Sequence, residues 1–113
     1  MASSGAGLGL SDALGIYRAG ASGVTDPRPL QQPSPSYTAR AMLMRAQGIV
    51  LVGGIVEPDG SLTNIRVIRT LDPIFGLDDE AVKAARGWRF TPGTVNGERV
   101  RIAVTIEMSF TLR

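Results

Sequence analysis

The clearest pattern in the chain lies near its C-terminal end. Val100, Ile102, Val104, Ile106, Met108, Phe110 and Leu112 alternate with Arg101, Ala103, Thr105, Glu107, Ser109 and Thr111. Alternation at period two predicts a β-strand with one buried face and one wet face. Upstream, residues 49–57 (IVLVGGIVE) are apolar at nearly every position, as expected for a central strand covered on both faces. Glu57-Pro58-Asp59-Gly60 then supplies turn chemistry, with proline setting φ and glycine taking the left-handed position. Residues 61–70 (SLTNIRVIRT) return as the second strand of a hairpin.

Two segments carry helical patterns instead. Residues 37–47 (YTARAMLMRAQ) are rich in helix formers, with Thr38 or Ser36 placed to cap the start and Gly48 to stop the end. Asp78-Asp79-Glu80 opens a second helix, where carboxylates complement the helix dipole. Leu77, Ala81, Ala84 or Ala85, and Trp88 give that helix an apolar stripe. The order helix, strand, strand, helix, strand predicts an α+β domain. Its three-stranded sheet is antiparallel throughout, in the order 2-1-3, with two helices packed on one face. The last strand is then a long accessible edge. Such an edge must be covered by the N-terminal segment or the terminus, paired with a second copy, or used by a partner strand.

The N-terminal third looks different. Residues 1–23 hold six of the fourteen glycines, and residues 27–35 (PRPLQQPSP) hold four of the seven prolines. Residues 1–35 therefore read as a flexible Gly/Pro-rich linker that stiffens toward its end, or in part as a remnant of expression at residues 1–5. Residues 36–113 read as the folded domain. Tyr17 and Leu30 are linker residues that could still dock on it.

Composition then removes whole classes of chemistry. The chain has no cysteine and no histidine, which excludes disulfides, thiolate metal sites, cysteine nucleophiles and histidine general bases. Twelve basic residues, eleven of them arginine, face ten acids, for a net charge of +2. That gives too weak a general field to point to nucleic acid. The longest apolar run, residues 48–56, is about half the ~20 residues of a spanning helix, and residues 1–10 lack the basic start of a signal peptide. Asp78-Asp79-Glu80 points in several directions around a helix and is better explained by the dipole than by metal or acid–base chemistry. Phe75, Trp88 and Phe90 read as core anchors. Arg86, Arg89, Arg99 and Arg101 read as a solvated face or as a docking patch for an acidic partner. No enzyme activity and no cofactor are expected.

The motifs together resemble the TonB C-terminal domain family over roughly residues 33–113. They are Pro35-x-Tyr37-x-Ala39-Arg40-Ala41 followed by Arg45 and Gly48, then Gly48-x-Val50 with Pro58-Asp59-Gly60. Leu77-Asp78-x-x-Ala81-x-x-Ala84-x-x-x-Trp88-Arg89-Phe90-x-Pro92-Gly93 comes next, and Asn96-Gly97 precedes the alternating strand. The sequence departs from the family at Thr38, where many members carry proline, and at Ser34, where glutamine stands in the best-known members. Its first helix, Ala41-Met42-Leu43-Met44, is also unusually apolar.

The resemblance implies a periplasmic domain joined through a proline-rich spacer to an inner-membrane anchor helix, which this sequence does not contain. Through that anchor it would engage the ExbB–ExbD proton-driven complex and energise active transport, including siderophore uptake. Its partner would be the TonB box of an outer-membrane transporter, added as a strand to Arg101, Ile102, Ala103, Val104, Thr105, Ile106, Glu107, Met108, Ser109 and Phe110, with Tyr37 and Arg40 flanking it. The alternatives are a homodimer through the last strand or first helix, and a regulatory envelope interaction module without a transducing role. No nucleic-acid partner is expected.

Overall fold

The computed structural model describes residues 11–112. In chain order the elements are β1 (Ile16–Arg18), β2 (Val24–Thr25), β3 (Pro29–Gln31), α1 (Ala39–Leu43), β4 (Gly48–Val56), β5 (Leu62–Arg69), α2 (Leu77–Arg86), β6 (Arg89–Phe90), β7 (Thr94–Val95), β8 (Glu98–Arg99) and β9 (Arg101–Phe110). The predicted hairpin is β4–β5, and β9 pairs antiparallel with β4 in an unbroken register from Gly48↔Phe110 to Val56↔Ile102.

The fold is α+β, but the expected three-stranded sheet is corrected to a four-stranded one in the order β1-β9-β4-β5, with two small accessory sheets, β2-β7-β8 and β3-β6. Nor is the main sheet antiparallel throughout, because β1 runs parallel to β9 through Ile16↔Arg101, Tyr17↔Ile102 and Arg18↔Ala103. The physical reason is the bare edge itself. Unpaired N–H and C=O groups at the start of β9 are satisfied by the nearest extended chain. The stretch expected as a linker thus carries β1, β2 and β3, although its first ten residues lie outside the described part.

Period-two patterning decides which face is covered. Val50, Val52 and Val56 of β4 and Ile106, Met108 and Phe110 of β9 share one face and are buried. Against them pack Ala41 of α1 and Leu77, Ala81, Ala84 and Ala85 of α2. Burying each larger aliphatic side chain contributes about 1.5–3 kcal/mol, so this layer is the main source of cohesion. Among the described residues the opposite face of the sheet carries no helix.

The helices differ from expectation in extent. α1 spans Ala39–Leu43 rather than residues 37–47, because Arg45 turns left-handed at φ 53°. Arg45 N–H donates to the Met42 carbonyl and Ala46 N–H to the Ala41 carbonyl, which is the closing pattern of a Schellman motif. Thr38 caps its start, accepting from Ala41 N–H at 3.1 Å. α2 ends at Arg86, so Trp88 lies beyond the helix and does not extend its stripe.

α2 is seated by two carboxylates. Asp72 is buried and its oxygens accept from the amides of Ile74, Phe75 and Leu77. Asp78 accepts from the amides of Leu71 and Asp72 and from the Thr70 hydroxyl. Burial raises the Asp72 pKa, but the three amide donors outweigh it and hold the carboxyl below its usual range.

Candidate functional site: the free edge of β9 and its groove

Pairing of β1 with β9 stops at Ala103, whose carbonyl accepts from Ala19 N–H at 3.2 Å. Main-chain groups alternate sides along a strand, so those of Thr105, Glu107 and Ser109 face the same outer edge. Among the described residues no strand pairs with them there. The edge that the resemblance implied from Arg101 to Phe110 is therefore occupied at its start and open from Val104 onward.

Two cavities of about 370 and 350 Å³ run along this open edge. The first lies between Glu107–Thr111 on one side and Gln32–Pro35 with Tyr37 on the other. The second lies between Val104–Glu107 and Asp26, Pro27 and Pro29. Gln32, Trp88 and Glu107 line both, so the two form one continuous groove.

Its end beyond Phe110 is rigidly built. The Tyr37 ring meets Phe110 edge-on at 5.5 Å between centroids, and its hydroxyl donates to the Ala46 carbonyl at 2.5 Å. Leu112 N–H donates to the Gln47 side-chain carbonyl at 2.9 Å. These contacts fix the C-terminal part of β9 against the α1–β4 corner.

The predicted site residues separate into groups. Tyr37 and Val104 to Phe110 line the groove. Arg40 does not, because its guanidinium lies over the Phe75 ring, 5.7 Å from the centroid, beside the loop before α2. Arg101, Ile102 and Ala103 are paired with β1. Arg101 also makes a two-point contact with Glu57, at 2.9 Å and 3.0 Å. The Arg101 and Thr63 hydrogen bonds, in that order, hold the Glu57 carboxyl below its usual value, and Glu57 raises the Arg101 pKa.

Among the described residues the arginines gather no docking patch at the groove. Arg89 turns back on the carbonyls of Arg86 and Trp88, and the charged residues lining the groove are the acids Asp26 and Glu107. Phe90 is a core residue as read from the sequence, and Trp88, tilted against Phe90 at 5.9 Å, packs half-buried on the core and also lines the groove. Its role at the groove was not legible, because an aromatic two residues past a helix fits the helix stripe equally well.

Comparison with known proteins gives a consistent picture. The family model described as Gram-negative bacterial TonB protein C-terminal matches residues 33–112. Among relatives, Protein TonB of Escherichia coli K12 is 37% identical over 67 residues, covering 59% of this chain and 28% of its own length. Protein TonB of Klebsiella pneumoniae is 34% identical over 86 residues, covering 76% and 33%. The solution NMR structure of the Pseudomonas aeruginosa TonB CTD superposes with a TM-score of 0.52 at 25% identity, covering 85% of this chain and 95% of that one. The chain spans about a third of the length of the full relatives it matches.

Proposed function

The chain belongs to the Gram-negative bacterial TonB C-terminal family, and from that premise we propose that it binds an extended segment of an outer-membrane transporter, its TonB box, by strand addition to β9. In this reading residues 36–113 are the noncatalytic periplasmic interaction domain of a TonB-type energy transducer. Residues 1–35 lead toward an inner-membrane anchor that couples to ExbB–ExbD and proton-motive force. The observation that carries the reading is the open outer edge of β9 from Val104 onward, bordered by the groove at Tyr37 and Trp88.

Magnitudes favour weak binding with help from side chains. Each main-chain hydrogen bond is worth roughly 1 kcal/mol net, while ordering the peptide backbone costs about 1–2 kcal/mol per residue. Backbone pairing alone does not suffice, so burial of peptide side chains against Tyr37 and Trp88 supplies the remainder.

An NMR titration with TonB-box peptides tests the proposal. Shifts are expected at Val104 to Phe110 and around Tyr37, with little change at Arg40. A chain inert to millimolar peptide would refute strand addition. It would leave the second reading, a homodimeric or regulatory envelope module, which draws on the exposed Met42, Leu43 and Met44 of the α1 corner.

A further inference from the structure

The groove has two walls of different origin. One is the backbone edge of β9; the other is the chain from Asp26 to Pro35, which precedes the domain proper. No main-chain hydrogen bond joins this strap to β9 among the described residues. It is fastened instead to the segment after α2. β3 pairs with β6 through Pro29↔Phe90 and Gln31↔Arg89. Arg28 and Thr91 exchange two hydrogen bonds, at 2.8 and 2.9 Å, and the Trp88 indole N–H donates to the Pro33 carbonyl at 3.1 Å. The strap therefore stands beside the open edge without filling it.

We propose that the strap is a fixed outer wall, so that an incoming strand is held between β9 and residues 26–35, and that Trp88 is the positioning residue that sets the wall. Trp88 reaches both sides of the arrangement: its ring lines the whole groove and its N–H holds Pro33. Ala19, the last residue bonded to β9, closes one end of the groove, so the open run is residues 104–111. At ~3.3 Å per residue it accepts an extended segment of about seven or eight residues. This inference rests on the strand-addition reading above and adds to it: residues read as a spacer take part in capture.

A lock tests it. The chain has no cysteine, so Gln31→Cys with Arg89→Cys places a single pair at facing positions of β3 and β6, within reach of a disulfide. Reduced and oxidised forms of this one protein are titrated with a TonB-box peptide, and the same is done with Trp88→Phe added. The oxidised form is expected to bind as tightly as the reduced form or more tightly. Trp88→Phe keeps a ring but loses the donor, and is expected to weaken binding several-fold in the reduced protein. Oxidation should then restore it. Binding about tenfold weaker on oxidation would mean the strap must leave, and would overturn the proposal. Failure of the lock to rescue Trp88→Phe would also overturn it, since the ring would then act by its own contact. If the unmodified chain binds no peptide, strand addition itself falls and takes this inference with it.

Discussion

Single carboxylates set how this domain responds to acid. Asp72 and Glu57 both have pKa values below their ordinary 3.8 and 4.5 in the folded chain. In the window between folded and unfolded values the unfolded chain binds more protons, so stability rises with pH there. Each contribution is complete above the unfolded value and is lost as pH falls through the depressed folded one. Stability is thus expected to be flat from neutral pH to about 4.5 and to fall below it. Denaturant unfolding at stepped pH measures this. Glu57→Gln should flatten the upper part of that acid limb and Asp72→Asn the lower part. Asp72→Ala removes the acceptor for three amides, two of them close to ideal length, and should cost about 1–3 kcal/mol at neutral pH. An Asp72→Ala protein as stable as the parent would show that water replaces the carboxylate.

Elements were legible in proportion to their length and periodicity. β9 stands where its period-two run puts it, because many residues vote for the same face, and the β4–β5 hairpin stands where the continuous apolar run and its turn residues put it. β5 shows how one residue edits such a run. Asn64 is left-handed at φ 50°, and a register irregularity falls between Gly53 and Ile55 on the facing strand. The inward set accordingly changes from Leu62 to Ile65 and Val67, which all pack on the core. β1, β2 and β3 were not legible. Strands of two or three residues between glycines and prolines carry no period, and only the unpaired edges they serve explain them. The site was legible to a similar degree, since alternation marks β9 as an edge while the opposite wall depends on where residues 26–35 land. The end of α1 was missed because its left-handed closing position holds Arg45, not the glycine that usually signals it. That position yields a prediction. An L-residue in the left-handed region costs roughly 1–2 kcal/mol, partly offset by the greater unfolded-state freedom of glycine. Arg45→Gly should therefore stabilise the domain by about 0.5–1 kcal/mol. A midpoint shift in urea unfolding with unchanged slope reads this directly, and a lower midpoint would mean that the arginine side chain contributes more than its backbone strain costs.

At the scale of the whole molecule, the chain divides into a core and a peripheral unit that share the β9 edge. The β4–β9 ladder has nine facing pairs and carries the buried apolar layer, whereas β1 holds β9 through three pairs. No residue between 11 and 35 belongs to the buried core cluster. Few buried contacts and short ladders mark a segment that opens without the rest. Residues 11–35 are thus expected to exchange their amide hydrogens by local opening, and β4 only by global unfolding. A gap of at least ~100-fold in protection, about 2.7 kcal/mol, should separate them. Within β9 the inward-bonded amides of Ile106 and Met108 should be protected in the free chain, while those of Thr105, Glu107 and Ser109 exchange freely until a strand is added. A pull on the N-terminal side would meet the same hierarchy. It would reach the three pairs of β1 before the nine of β4, baring Arg101 to Ala103 and lengthening the open edge while the core holds. Native-state hydrogen exchange measured residue by residue decides the matter. Equal protection in β1 and β4 would make the two parts one cooperative unit, in which the edge could not lengthen without loss of the fold.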